Sequence, residues 1–170
     1  MPAHQHQDQR VGSVTCAVLT VSDTRTRDTD TTGAMMCDLL TAAGHRVASH
    51  DIIPDDPAIV RQRVERLGRD RACHAVLLTG GTGLSARDST YEAVAGLLVK
   101  RLDGFGELFR MLSYDAIGPA AMLSRAVAGV CHGTVVFSMP GAGGAVRLAL
   151  EKLILPEIEH IVWLLRRDDG

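Results

Sequence analysis

No Cys-x-x-Cys pair occurs in this chain, and its four cysteines, Cys16, Cys37, Cys73 and Cys131, stand far apart. That spacing gives neither a zinc site nor a disulfide framework, so a reducing compartment and buried thiols are expected. No apolar run approaches the roughly 20 residues needed to cross a bilayer. Met1 to Arg10 is polar and lacks the apolar stretch of a secretory signal. The formal net charge is only -2, which leaves no bulk electrostatic footprint for nucleic acid. These absences point to a cytoplasmic chain with no membrane and no nucleic-acid partner, whose ligand is a small molecule or another protein.

What is present is enough for one sizeable core: 170 residues, 46% of them hydrophobic. Residues 1–13 read as a disordered leader and residues 14–167 as a single domain. His4 and His6 in the leader have no further ligands clustered near them, which argues against a metal site.

Short apolar and β-branched runs bounded by turn residues predict buried strands at Thr15 to Val21, Arg46 to Ile53, Ala75 to Thr79 and Thr134 to Met139. Helical spacing predicts helices over Thr32 to Ala43, from Asp56-Pro57 to near Gly68, and around Tyr91 to Leu98. Ala145 to Arg166 predicts one or two more, broken at Pro156. Strands alternating with helices of this length imply an α/β fold, a mostly parallel sheet with helices on both faces. Phe105, Leu108, Phe109 and Met111 crowd a short glycine-flanked segment, an apolar surface expected to be buried against another subunit.

In such sheets ligands sit beyond the carboxyl ends of the strands. Four loops qualify: Ser22 to Asp30, Pro54 to Asp56, Gly80 to Ser89 and Pro140 to Gly144. The third, Thr79-Gly80-Gly81-Thr82-Gly83, leads through Ser89-Thr90 into a helix. Its glycines let backbone N–H groups turn around an anion, with the helix start close by. It matches neither the Walker loop, which needs a lysine, nor the dinucleotide fingerprint. A tight turn alone would also explain the glycines. Arg87 and Asp88 in the same loop offer a guanidinium for phosphate oxygens and a carboxylate for Mg²⁺, although an ion pair between neighbours would account for both. Asp56 is best explained as a helix cap.

Taken together, Thr20-Val21-Ser22-Asp23, Ile53-Pro54-Asp55-Asp56, the glycine loop with Arg87-Asp88, Gly104 to Arg110, Ala121 to Ala126 and Met139-Pro140-Gly141 resemble, in order, the molybdopterin-binding MoaB/MogA family. The resemblance implies a three-layer α/β/α sandwich and a homo-oligomer, trimer or hexamer. It also implies a reaction in which the terminal phosphate of molybdopterin attacks the α-phosphorus of ATP, with Mg²⁺ required, and other molybdenum cofactor biosynthesis proteins as partners. Carried over by residue, Asp88 and Asp55 would be the catalytic carboxylates and the Mg²⁺ ligands. Thr79, Gly80, Gly81, Thr82, Gly83, Arg87, Ser124, Arg125, Pro140 and Gly141 would hold molybdopterin and its phosphate, and Ser22 and Asp23 would lie on the nucleotide side.

Two departures accompany the resemblance. Ser89-Thr90-Tyr91-Glu92 stands where the family usually has Val-Thr-Pro-Glu, which removes a proline and adds a phenol. Pro140-Gly141-Ala142-Gly143 replaces Pro-Gly-Ser/Asn-Pro and lacks a polar side chain that could touch the pterin. Two alternatives stand beside the adenylyltransferase reading: a catalytically silent relative that binds molybdopterin or a precursor, and a nucleotide-pyrophosphate hydrolase on a related fold.

Overall fold

The computed structural model describes residues 9–167; His4, His6 and most of the expected leader lie outside the described residues. Gln9 already meets the domain, its carbonyl oxygen 3.0 Å from Nδ1 of His160.

The apolar runs form strands where expected: β1 (Thr15–Val21), β2 (Arg46–Ile53), β3 (Ala75–Thr79) and β6 (Thr134–Met139). Two strands were not anticipated, β4 (Lys100–Arg101) and β5 (Val127–Cys131). The sheet runs β2-β1-β3-β6-β5-β4. Its first four strands are parallel, and β5 lies antiparallel to both neighbours. A tight turn joins β5 to β6, with His132 at φ 50° and Gly133 at φ 83°. Two successive left-handed residues match the right-handed twist of a hairpin, and His-Gly is a weaker signal for that turn than Asn-Gly.

Helices cover both faces. On one, α1 (Thr31–Ala42), α4 (Asp103–Ile117), α5 (Gly143–Ala149) and α6 (Leu155–Arg166) bury Met36, Phe109, Val146 and Ile158 against Val18, Leu77 and Phe137. On the other, α2 (Pro57–Arg69) and α3 (Thr90–Ala95) bury Val60, Val64 and Val94 against Leu19, Val76 and Val136. This is the three-layer α/β/α arrangement. Asp56 caps α2 as predicted, accepting from the N–H groups of Ala58 and Ile59.

α2 ends near Gly68 as expected, at Arg69. Gly68 lies in its last turn, where a Cβ would stand 3.0 Å from the Cys131 carbonyl, so close approach requires glycine there. Other local expectations need correction. Pro156 breaks nothing: the chain stays helical from Gly143 to Arg166 through a π-helical turn at Leu150–Ile154, with Pro156 in the first turn of α6. Cys37 is only half-buried, unlike the other three thiols.

The apolar segment at residues 105–111 divides between two faces. Phe105 and Phe109, four residues apart on α4, enter the core of their own chain, where the Phe105 and Phe137 rings meet edge to face at 5.3 Å. Leu108 and Met111 stay exposed and are joined by Tyr114, Ile117, Met122 and Leu123.

Two imidazoles, His45 buried and His74 half-buried, set an acid limit on stability. Nδ1 of His45 accepts from Val14 N–H at 3.4 Å and Nδ1 of His74 from Thr15 N–H at 3.1 Å, so both rings must be unprotonated at that nitrogen. Burial pushes both below the ordinary 6.5, against an opposing pull from Glu159 on His45 and with added repulsion from Arg166 on His74. The neutral form is native and the unfolded chain takes up protons first. This stability is therefore complete above pH 6.5 and is lost as pH falls from there toward the lowered native values. At the alkaline end, burial raises Cys16 from 9.0 to about 12 and Cys73 to about 11, so stability declines once unfolded thiols ionise above pH 9.0. Melting temperature measured against pH should form a plateau between these limits, and His74→Gln should flatten its acid limb.

Candidate functional site

Four loops converge at the carboxyl ends of β1, β2, β3 and β6. The glycine loop leaves β3 at Gly80, whose N–H donates to Met139 O at 3.1 Å. Gly80 and Gly81 both have positive φ, 99° and 68°, which a side chain would resist. A Cβ on Gly80 would collide with Val21 O; on Gly81 it would collide with the Thr90 side chain and stand 3.0 Å from Asp55 Oδ2. Thr79 Oγ1 donates to Pro140 O at 2.9 Å and ties this loop to the one after β6.

Asp23 and Asp55 bracket the loops together. Asp23 Oδ1 accepts from Asp55 N–H at 3.0 Å, and its Oδ2 accepts from Arg87 at 2.5 Å. Asp55 Oδ1 accepts from the hydroxyls of Ser89, at 3.1 Å, and Thr90, at 3.4 Å. Those hydroxyls reach across to the β2 loop, and Ser89 makes no side-chain cap on α3. Asp88 Oδ2 accepts from Ser85 N–H at 3.0 Å and Ser85 Oγ at 2.7 Å. The Ser85 hydroxyl above all, with Gly83 N–H and Arg125 adding, holds the Asp88 carboxyl below its usual range, so it is ionised at neutral pH.

A cleft of about 390 Å³ opens over the loop, lined by residues 80–83, Asp88, Leu123, Ser124 and residues 140–142. A second, of about 230 Å³, adjoins it and is lined by Thr20, Ser22, Arg25, Asp30, Thr32 and Thr79. Gly80 and Gly141 border both clefts. The structure thus brings Asp88, Ser124, Pro140 and Gly141 to the first cleft and Ser22 and Thr79 to the second, with Asp55 beside Gly81.

Two arginines that the resemblance puts among the molybdopterin-binding residues engage other groups of the chain. Arg87 is 80% exposed and ion-paired to Asp23, at the rim. Arg125 lies behind the glycine loop: its Nε donates to Thr82 O at 3.0 Å, its Nη2 to Gly83 O at 2.6 Å, and its Nη1 pairs with Glu92. Neither lines the first cleft.

The architecture and this loop cluster have counterparts. A family described as "Probable molybdopterin binding domain" matches residues 17–160. The chain belongs to the molybdopterin-binding MoaB/MogA family. Molybdenum cofactor biosynthesis protein B of Bacillus cereus is 49% identical over 168 residues, 98% of this chain and 99% of that protein. The Bacillus subtilis protein of the same name is 48% identical over 169 residues, 99% of each chain. Among solved structures, one of molybdenum cofactor biosynthesis protein B superposes with a TM-score of 0.89 at 51% identity, covering 91% of this chain and 97% of that one. The tungsten cofactor synthesizing protein MoaB of Pyrococcus furiosus superposes at 0.80 with 36% identity, covering 91% and 98%.

Within this MoaB/MogA domain, the sequence reading missed a buried cluster at the second cleft. Asp30 caps α1 through Gly33 N–H at 2.9 Å while accepting from Thr20 Oγ1 at 2.5 Å and meeting His50 Nε2 at 2.8 Å. Burial pushes the Asp30 carboxyl up, but the Thr20 hydroxyl, Gly33 N–H and His50 together outweigh it and leave it below the usual range. The sequence signal was the Asp-Thr-Thr-Gly run at the helix start, which places a short acceptor three residues before a glycine. Among the described residues no group of three or more His, Cys, Asp or Glu side chains is gathered to hold a metal, and no helix is long and apolar enough to cross a membrane.

Proposed function

We propose that this chain acts in molybdenum cofactor biosynthesis as a molybdopterin adenylyltransferase. The terminal phosphate oxygen of molybdopterin attacks the α-phosphorus of ATP, the bond to the β-phosphate oxygen breaks, and pyrophosphate leaves. The observation that carries this reading is the first cleft itself. Its floor is a glycine loop suited to phosphate, no lining residue is cationic, and Asp88 adds a negative charge. A carboxylate beside a phosphate site works against binding unless a cation accompanies the ligand. Magnesium is commonly held by one or two carboxylates plus substrate phosphates, and Asp88 and Asp55, flanking the loop, are the residues that would hold it. Bound there, Mg²⁺ would neutralise charge on the triphosphate.

The chain's own groups supply the rest. Loop N–H groups hold a phosphoryl group, and Thr82 and Ser124 offer neutral polar contacts. The adjoining second cleft, bounded by Ser22, suits a two-part reaction in which nucleotide and pterin lie on either side of Gly80 and Gly141. The test is to incubate the purified chain with molybdopterin and Mg-ATP while following pyrophosphate. Pterin-dependent release supports the proposal. Tight pterin binding without release would instead identify a silent binding protein, and turnover of dinucleotides without pterin would identify a hydrolase.

Met111, Tyr114 and Met122, exposed around one shallow groove on α4 and the segment after it, support assembly into trimers or hexamers, since exposed apolar surface on a small domain often marks an interface. Light scattering at micromolar concentration should give a trimer or larger, and Met111→Glu should shift it toward monomer.

A further inference from the structure

The phenol that replaces the family's usual proline has a structural consequence. Tyr91 is the second residue of α3, and the guanidinium carbon of Arg125 lies 5.0 Å from its ring centroid. The far end of the ring is also fixed, because Tyr91 Oη accepts from Arg101 Nη2 at 3.0 Å, and Arg101 in turn pairs with Asp103 at the start of α4. Arg125 is therefore held on its face by Tyr91 and at its fork by Glu92. It holds the carbonyls of Thr82 and Gly83 while standing outside the lining of the first cleft.

We propose that Tyr91, acting through Arg125, is a positioning residue for the glycine loop: it fixes the guanidinium that holds the Thr82 and Gly83 carbonyls, and with each planar peptide unit the direction of the Gly83 and Leu84 N–H groups, so that the loop keeps one shape around a phosphoryl ligand. Two physical facts support it. A guanidinium with several donors and one aromatic face has little freedom left once fork and face are both engaged. A peptide unit whose carbonyl is held on one side also has its N–H direction restricted, because the unit is planar. A loop of three glycines has the most to gain, since glycine backbones are otherwise the freest. The proposal rests on the phosphate-site reading above for its purpose, but not for its geometry.

The experiment uses the full chain and needs no turnover. Amide hydrogen exchange at Gly83 and Leu84 is compared with that at Leu77, fully buried in β3, for wild type, Tyr91→Leu, Tyr91→Phe and Arg125→Lys. Dissociation constants are then measured for inorganic pyrophosphate in magnesium. Tyr91→Leu and Arg125→Lys should each raise loop exchange about tenfold relative to Leu77 and weaken pyrophosphate binding by about the same factor. Tyr91→Phe, which keeps the face and loses only the Arg101 bond, should recover most of both. Unchanged loop exchange in Tyr91→Leu overturns the proposal, as does a rise shared equally by Leu77, which would mean general loosening. If loop exchange responds as expected while wild type binds no pyrophosphate, the positioning role stands and the phosphate-site reading fails.

Discussion

Asp88→Asn is expected to slow adenylylation at saturating Mg-ATP by at least about 100-fold, some 2.7 kcal/mol of barrier, while leaving the melting temperature nearly unchanged. The reasoning rests on what asparagine keeps and loses. Its carboxamide oxygen can still accept from Ser85 N–H and Oγ, the two bonds that fold the residue 85–88 turn back on itself, so the loop should hold its shape. The negative charge is gone, and with it a ligand for the cation that a triphosphate brings. Asp88 is held below the usual carboxylate range, so wild type carries that charge throughout the neutral region and the loss should not vary between pH 6 and 8, as judged from the reference carboxylate range. Single-turnover rates with parallel melts decide the matter. Near-equal rates would show that Asp88 only shapes the turn, and a collapsed melt would show that its bonds to Ser85 matter more than its charge.

Gly80→Ala should cost roughly 2–4 kcal/mol of folding stability and abolish phosphate binding. Two independent penalties combine there: φ is 99°, and the added Cβ would run into the carbonyl oxygen of Val21 on the neighbouring strand. Val21 is paired with Ile53 of β2 and the obstructing atom is its backbone carbonyl oxygen, so it cannot yield as a flexible side chain would. Gly144→Ala is the control. Its Cβ would meet nothing within 4 Å and it lies inside α5, so alanine should be neutral or stabilising by up to about 1 kcal/mol. Urea denaturation of the pair measures the difference, and equal midpoints would show that the strand-end geometry around Gly80 is softer than these contacts indicate.

The parallel half of the fold was legible because each of its strands is a short apolar run ended by turn residues, and because Asp56 and Pro57 mark the start of α2. The antiparallel half was not. Val127–Cys131 contains a glycine and two small residues, which weakens its strand signal, and Lys100–Arg101 has no apolar character at all. Residues 105–111 were read as an interface segment because four large apolar side chains within seven residues look like a patch. Only the helix turn, which sends Phe105 and Phe109 inward, separates core from surface.

At the site, the glycine loop and its Asp88 were readable from residue type and order. The engagement of Arg87 with Asp23, 64 residues away, was not, because an ion pair between loops leaves no periodic trace. The contacts of Arg125 were hidden for a related reason: it stands beside Ser124 in the loop before β5, and only the fold brings its guanidinium to the Thr82 and Gly83 carbonyls, more than 40 residues earlier in the chain.

The β5–β6 turn at His132 and Gly133 lies at the beginning of β6, whereas the functional loops leave from its end. That separation makes the hairpin tip a natural attachment point for a fluorophore or an affinity handle. A label placed there would report on the chain's associations from the far side of the sheet, a full strand length from the cleft whose chemistry it is meant to observe.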